Sequence, residues 1–93
     1  MPVSVISQSE LEGLWQQNGI PAKRLRGLFN EIIADSRSAR NPVYPGGVSL
    51  IVKLITPRGQ HIGTVHEVRM PDGSTPHSHP KDYTRRDCSR VRA

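Results

Sequence analysis

Four histidines, His61, His66, His77 and His79, fall within nineteen residues of one another, and Lys81, Arg85, Arg86, Arg90 and Arg92 follow them. Neutral imidazole is the commonest protein ligand for metal ions, and three or four nitrogen, oxygen or sulfur ligands complete a zinc site. His77-Ser78-His79 places two imidazoles on one side of an extended segment. His66 could reach them across the intervening turn, with Asp82 or Cys88 nearby. No second ligand pair stands at a structural-zinc spacing, so the expectation is a chain without bound metal or other cofactor.

The same residue types could also do phosphate chemistry. One histidine could take a proton from a 2′-hydroxyl, another could protonate the leaving oxygen, and arginines could stabilise the charged intermediate. His66, His79, Arg85 and Arg86 are the candidates, which gives the only enzymatic alternative, a small ribonuclease-like toxin. No fixed motif supports it, and the main expectation is a protein that is not an enzyme. The basic end could instead contact phosphates through Lys81, Arg85, Arg86 and Arg90, with Tyr83 stacked on a base. The plain alternative is a charged tail that frays in water.

Those residues need elements to hold them. Ser7-Gln8-Ser9-Glu10 reads as a capping box, with Ser7 at the N-cap, and Leu11, Leu14 and Trp15 recur at helical spacing. Asn18-Gly19 supplies a left-handed stop. Pro21 suits the first turn of a second helix, and Leu25, Leu28, Phe29, Ile32 and Ile33 form a stripe at i, i+3, i+4, i+7 and i+8. The spacing predicts helices near 8–18 and 21–38. The pair loosely resembles a helix-turn-helix, with Lys23, Arg24 and Arg26 near the start of the second, but lacks a third supporting helix.

Two prolines and two glycines between Arg40 and Gly47 mark a connector. Beyond it, Val48–Thr56 and His61–Met70 alternate as strands, separated by the turn Pro57-Arg58-Gly59-Gln60. His66 shares a face with Ile62, Val68 and Met70, where a lone histidine is usually a hydrogen-bonded sheet residue; His61, beside the turn, should be exposed. Pro71-Asp72-Gly73 is a second turn. Pro76 and Pro80 should confine Ser74–Asp82 to an edge or a loop, and a short last strand fits Cys88–Arg92. The resulting fold class is α+β: an N-terminal helical hairpin packed on a small antiparallel β-meander. Residues 1–93 form one domain, with a helical part at 7–39, a linker at 40–47 and a β part at 48–92.

Composition bounds the function. With 93 residues, 34% hydrophobic and 4% aromatic, the core must be small. Burial could be completed by a partner or by a homo-oligomer. Trp15 and Tyr44 pack in the core by default and serve as interface anchors if the sheet leaves them uncovered. The single cysteine cannot form an internal disulfide, the apolar runs are too short for membrane insertion, and the start lacks the features of a signal peptide, so a cytoplasmic location is expected. The net charge of +5 is uneven. Residues 1–46 hold five Lys/Arg against four Asp/Glu, and residues 47–93 hold eight against four. A basic half favours an acidic partner.

The run Gly63-Thr64-Val65-His66-Glu67-Val68-Arg69-Met70-Pro71-Asp72-Gly73, with His77-x-His79-Pro80-Lys81-Asp82, resembles small accessory proteins of actinobacterial phages. It covers about the last third of the chain, rests on no motif of known mechanism and carries no functional residue over. The resemblance implies a short host-takeover protein that binds and redirects a bacterial component. The expectation is therefore a small non-enzymatic interaction protein that modulates a host protein in the bacterial cytoplasm. Its expected binding face is His66, His77, His79, Lys81, Arg85, Arg86 and Arg90. A basic nucleic-acid-binding module is the alternative.

Overall fold

A computed structural model describes residues 3–93. The chain is α+β, with a six-stranded mixed sheet and two short helices. In chain order the elements are β1 (Val3–Val5), α1 (Gln8–Gln17), α2 (Ile20–Leu25), β2 (Asn30–Ser38), β3 (Val48–Ile55), β4 (His61–Arg69), β5 (His77–Thr84) and β6 (Arg90–Arg92). The sheet order is β1-β6-β5-β4-β3-β2. Five strands run antiparallel in sequence order, and β1 closes the far end by pairing in parallel with β6. That parallel strand, absent from the sequence expectation, makes the sheet mixed.

The first helix begins as its capping box requires. Ser7 Oγ accepts from the Glu10 amide at 3.1 Å and donates to the Glu10 carboxylate at 3.0 Å. It ends at Asn18, with Gly19 in the left-handed region at φ +64°. The second helix does not run from 21 to 38, and the helical part does not extend to residue 39. It stops at Leu25 because Gly27 (φ +72°) closes a Schellman cap, in which Gly27 N donates to Arg24 O and Leu28 N donates to Lys23 O. Residues 30–38, expected as helix, form β2 instead. Six residues are also too few for a DNA-reading helix, so the helix-turn-helix likeness falls away.

The core lies between one sheet face and the helices. Leu11, Trp15 and Ile20 pack against Leu50, Val52, Leu54, Val65, Tyr83 and Val91. Trp15 donates its indole N–H to Asp82 O at 2.9 Å and lies over Gly63, where a Cβ would come within 2.9 Å of the ring. Trp15 is thus a core residue rather than an interface anchor. Glu67, only 2% exposed, is gripped by Arg24 at 2.6 Å and Arg69 at 2.8 Å, which ties α2 to the sheet. Burial pushes the Glu67 carboxyl up, but the hydrogen bonds and charges of the two arginines overcome that and hold it below its ordinary value.

The helices leave part of the sheet uncovered. α1 packs on β5 and β6, and α2 packs on α1. Leu25 is 91% exposed, Ile32 and Ile33 are each 53% exposed, and Leu28 is also exposed. The expected packing of this stripe on the sheet is therefore not what forms; only Phe29 packs against the core. Among the described residues, no helix is long and apolar enough to cross a membrane.

Candidate functional site: a three-histidine cluster on the open sheet face

Two register shifts decide what the face opposite the helices carries. Between β3 and β4, Leu54 pairs with Gly63 but Ile55 pairs with His61, so Ile62 is the extra residue. Ile62 packs towards the core, and His61 turns to the open face beside Thr64. Between β4 and β5, Val65 pairs with Pro80 but Thr64 pairs with Asp82, so Lys81 is the extra residue. Each bulge reverses the alternation of side chains. All four histidines consequently share one face. Tyr83, two residues beyond Lys81, faces the core and is buried, so it cannot stack on a base.

His66 lies opposite His79 in the β4–β5 register, and His77 is two residues back on the same face. Their ring centroids are 5.1 Å (66–79), 5.4 Å (66–77) and 4.8 Å (77–79) apart, all edge-on. His77 Nε2 and His79 Nδ1 are hydrogen-bonded at 2.9 Å, and His66 Nε2 is hydrogen-bonded to Ser49 Oγ at 2.7 Å. One nitrogen from each of the three lies within 4.8 Å of the others. The H-x-H pair thus gains, through the register of the neighbouring strand, the third nitrogen that its own spacing lacks. Burial, and then the neighbouring imidazoles and Lys81, lower the pKa values of His66 and His79 below the ordinary 6.5.

The strand that carries the pair accommodates Pro80 by position. β6 pairs only with Asp82–Thr84, which leaves residues 77–80 with β4 on one side alone. The edge expectation holds for that half of β5, while the other half lies inside the sheet. Pro80 O accepts from Gln8 Nε2 at 2.9 Å, away from β4, so the missing Pro80 N–H faces the same open side. The 40–47 connector folds back over β4: a Cβ on Gly47 would stand 3.0 Å from Val68 Cγ1. Tyr44, half-buried, sits 6.3 Å from His77 across an open cleft of about 320 Å³, which Arg37, Arg40, Ser49 and His66 also line.

The remaining candidates are dispersed. Lys81 is exposed at the bulge, close enough to His66 and His79 to affect them. Arg85 and Arg86 do not belong to a free tail. They occupy the β5–β6 turn and line a different cleft, with Lys23 and Asn18. Arg90 pairs with Asp82 at 2.7 Å. His61, expected to be exposed, is half-buried between Thr84 Oγ1 (2.9 Å) and Thr64 Oγ1 (3.1 Å). Burial lowers its pKa against the opposing pull of Asp82, whose Oδ1 lies 3.9 Å away, buried and without a hydrogen-bond partner. Cys88 lies in the β5–β6 turn and lines a cleft with His61 and Arg90, apart from the one beside His66 and His77. The ribonuclease set of His66, His79, Arg85 and Arg86 is therefore not brought together.

No family model, curated protein or solved structure matches this chain.

Proposed function

We propose that this chain is a non-enzymatic interaction module that engages a protein partner along β2 and the uncovered end of its sheet. One observation carries the reading. Leu25, Leu28, Ile32 and Ile33 are exposed around a nine-residue strand that ends the sheet. An unpaired strand edge offers a row of backbone donors and acceptors, and apolar side chains beside it give a partner strand something to bury. The ladder is regular from Asn30 to Ile33, before the irregularity at residue 34, so this stretch is the docking segment. The resemblance to accessory proteins of actinobacterial phages makes a bacterial host protein in the cytoplasm the expected partner, and modulation of that protein the outcome.

Capture from bacterial lysate, with and without nuclease, tests this reading when wild type is compared with Ile32→Glu/Ile33→Glu. The expected result is a defined protein retained regardless of nuclease and lost with the double substitution. Capture abolished by nuclease would favour the nucleic-acid reading, for which the specific observation is the gathering of Lys23, Arg85 and Arg86 around one cleft. A concentration-dependent dimer broken by the same substitutions would replace the host partner with a second copy of this chain.

A further inference from the structure

We infer that His66, His77 and His79 bind one divalent transition-metal ion of the zinc class on the open face of the sheet. Residues two apart on a strand point the same way, and residues directly opposite on adjacent antiparallel strands bring their Cβ atoms to roughly 5 Å. His77 and His79 satisfy the first relation, and His79 and His66 the second. Three imidazoles are thereby fixed on one side by backbone pairing.

Their spacing fits the coordination chemistry. Zinc–nitrogen bonds of about 2.0–2.1 Å in a tetrahedron put ligand nitrogens about 3.3 Å apart. The His77–His79 nitrogens are already 2.9 Å apart, and no ligand atom of the three is more than 4.8 Å from another. Ring rotation covers the difference. At 2.9 Å two nitrogen lone pairs repel unless a proton lies between them; an ion that displaces that proton is held by both. Ser49 Oγ, 2.7 Å from His66 Nε2, restrains the orientation of the third ring.

The ligand set selects the metal. Three imidazoles with no carboxylate suit zinc, cobalt, nickel or copper, whereas magnesium and calcium require oxygen. Three protein ligands also leave a fourth position. The cleft beside His66 and His77, lined by Tyr44, Arg37 and Arg40, leaves room there for water or another oxygen ligand. The inference is independent of the β2 interaction surface and would survive its failure.

The test uses the full chain without a polyhistidine tag, stripped with chelator. Calorimetric titration with Zn²⁺ should give one equivalent bound at micromolar affinity or tighter, and Mg²⁺ should give no heat of binding. His77→Ala/His79→Ala should weaken zinc binding at least 100-fold. Two measurements on the unaltered chain keep the test decisive if that variant unfolds. Co²⁺ should produce the intense visible bands of a four-coordinate site, and zinc should shift the ring-nitrogen resonances of His66, His77 and His79 while leaving those of His61 in place. Binding of well under one equivalent, weak bands of six-coordinate cobalt, or equal shifts at all four histidines would overturn the site.

Discussion

Replacing Cys88 with glycine should stabilise this protein, and the structure contains its own controls. Three hairpin turns share one design. In each, the first residue's N–H donates to the fifth residue's carbonyl and the fourth residue's N–H donates to the first carbonyl, at 2.8–2.9 Å: Thr56–Gln60, Met70–Ser74 and Arg85–Ser89. The fourth residue has positive φ in all three, +88° at Gly59, +88° at Gly73 and +69° at Cys88. Only the last carries a Cβ. The left-handed region costs a residue with a side chain about 1–2 kcal/mol, and glycine loses about 0.5–1 kcal/mol through the greater freedom of its unfolded chain. Cys88 is exposed and has no disulfide partner, so little side-chain packing is forfeited. The net expectation for Cys88→Gly is a gain of about 0.5–1 kcal/mol, read as a rise in Tm of about 2–8 °C for a domain of this size. Gly73→Ala is the mirror experiment. Its Cβ would meet nothing within 4 Å, so only backbone strain is added, and a loss of about 0.5–1 kcal/mol is expected. Urea unfolding with an unchanged slope would confirm that both act on stability alone. A lower Tm for Cys88→Gly would refute the reasoning and show that the Cys88 side chain makes stabilising contacts outweighing the backbone term.

Glu67→Gln keeps the shape of the buried side chain but removes the charge that Arg24 and Arg69 grip, and should cost roughly 2 kcal/mol at pH 7, since both arginines retain access to water. Because folding depresses the Glu67 pKa below 4.5, its contribution is present above that pH and is lost as pH falls through the folded value. Wild type and variant should therefore converge in stability in acid, and a difference that stays constant from pH 7 to pH 2 would contradict the pairing. Gly63→Ala should cost about 1–3 kcal/mol by overpacking, because the new Cβ would lie 2.9 Å from Trp15 Cζ2 and 3.0 Å from Asp82 O. Trp15 fluorescence during urea unfolding reads this directly, and a neutral result would mean that the indole does not press on β4.

Local signals in the sequence were legible where a single interaction decides the conformation. The Ser7–Glu10 box, the Gly19 stop and the Gly59 and Gly73 turns belong to that class, as does β3, whose core face alternates. The sequence suggests a long second helix because β2 has no fully buried face. Ile32 and Ile33 point to opposite sides of an edge strand and are equally exposed, so no two-residue period marks it, and the leftover apolar positions imitate a helical stripe. Gly27 was the available signal against that helix, since a left-handed residue cannot sit inside one. The pairing of β1 with β6 joins opposite ends of the chain and has no local signature. The histidine cluster falls between these cases. His77 and His79 share a face by spacing alone, whereas His66 joins them only through the register across the second turn. Beyond that point the bulge at Lys81 changes the meaning of everything downstream. By simple alternation Tyr83 would share the face of His77 and His79, where it could stack on a base, and Asp82 would face the helices. One extra residue exchanges them: Tyr83 enters the core beside Val91, its partner on β6, and Asp82 joins His61 and Arg90 on the open face. A single unpaired residue thus decides whether Tyr83 or Asp82 stands on the face that presents the imidazoles.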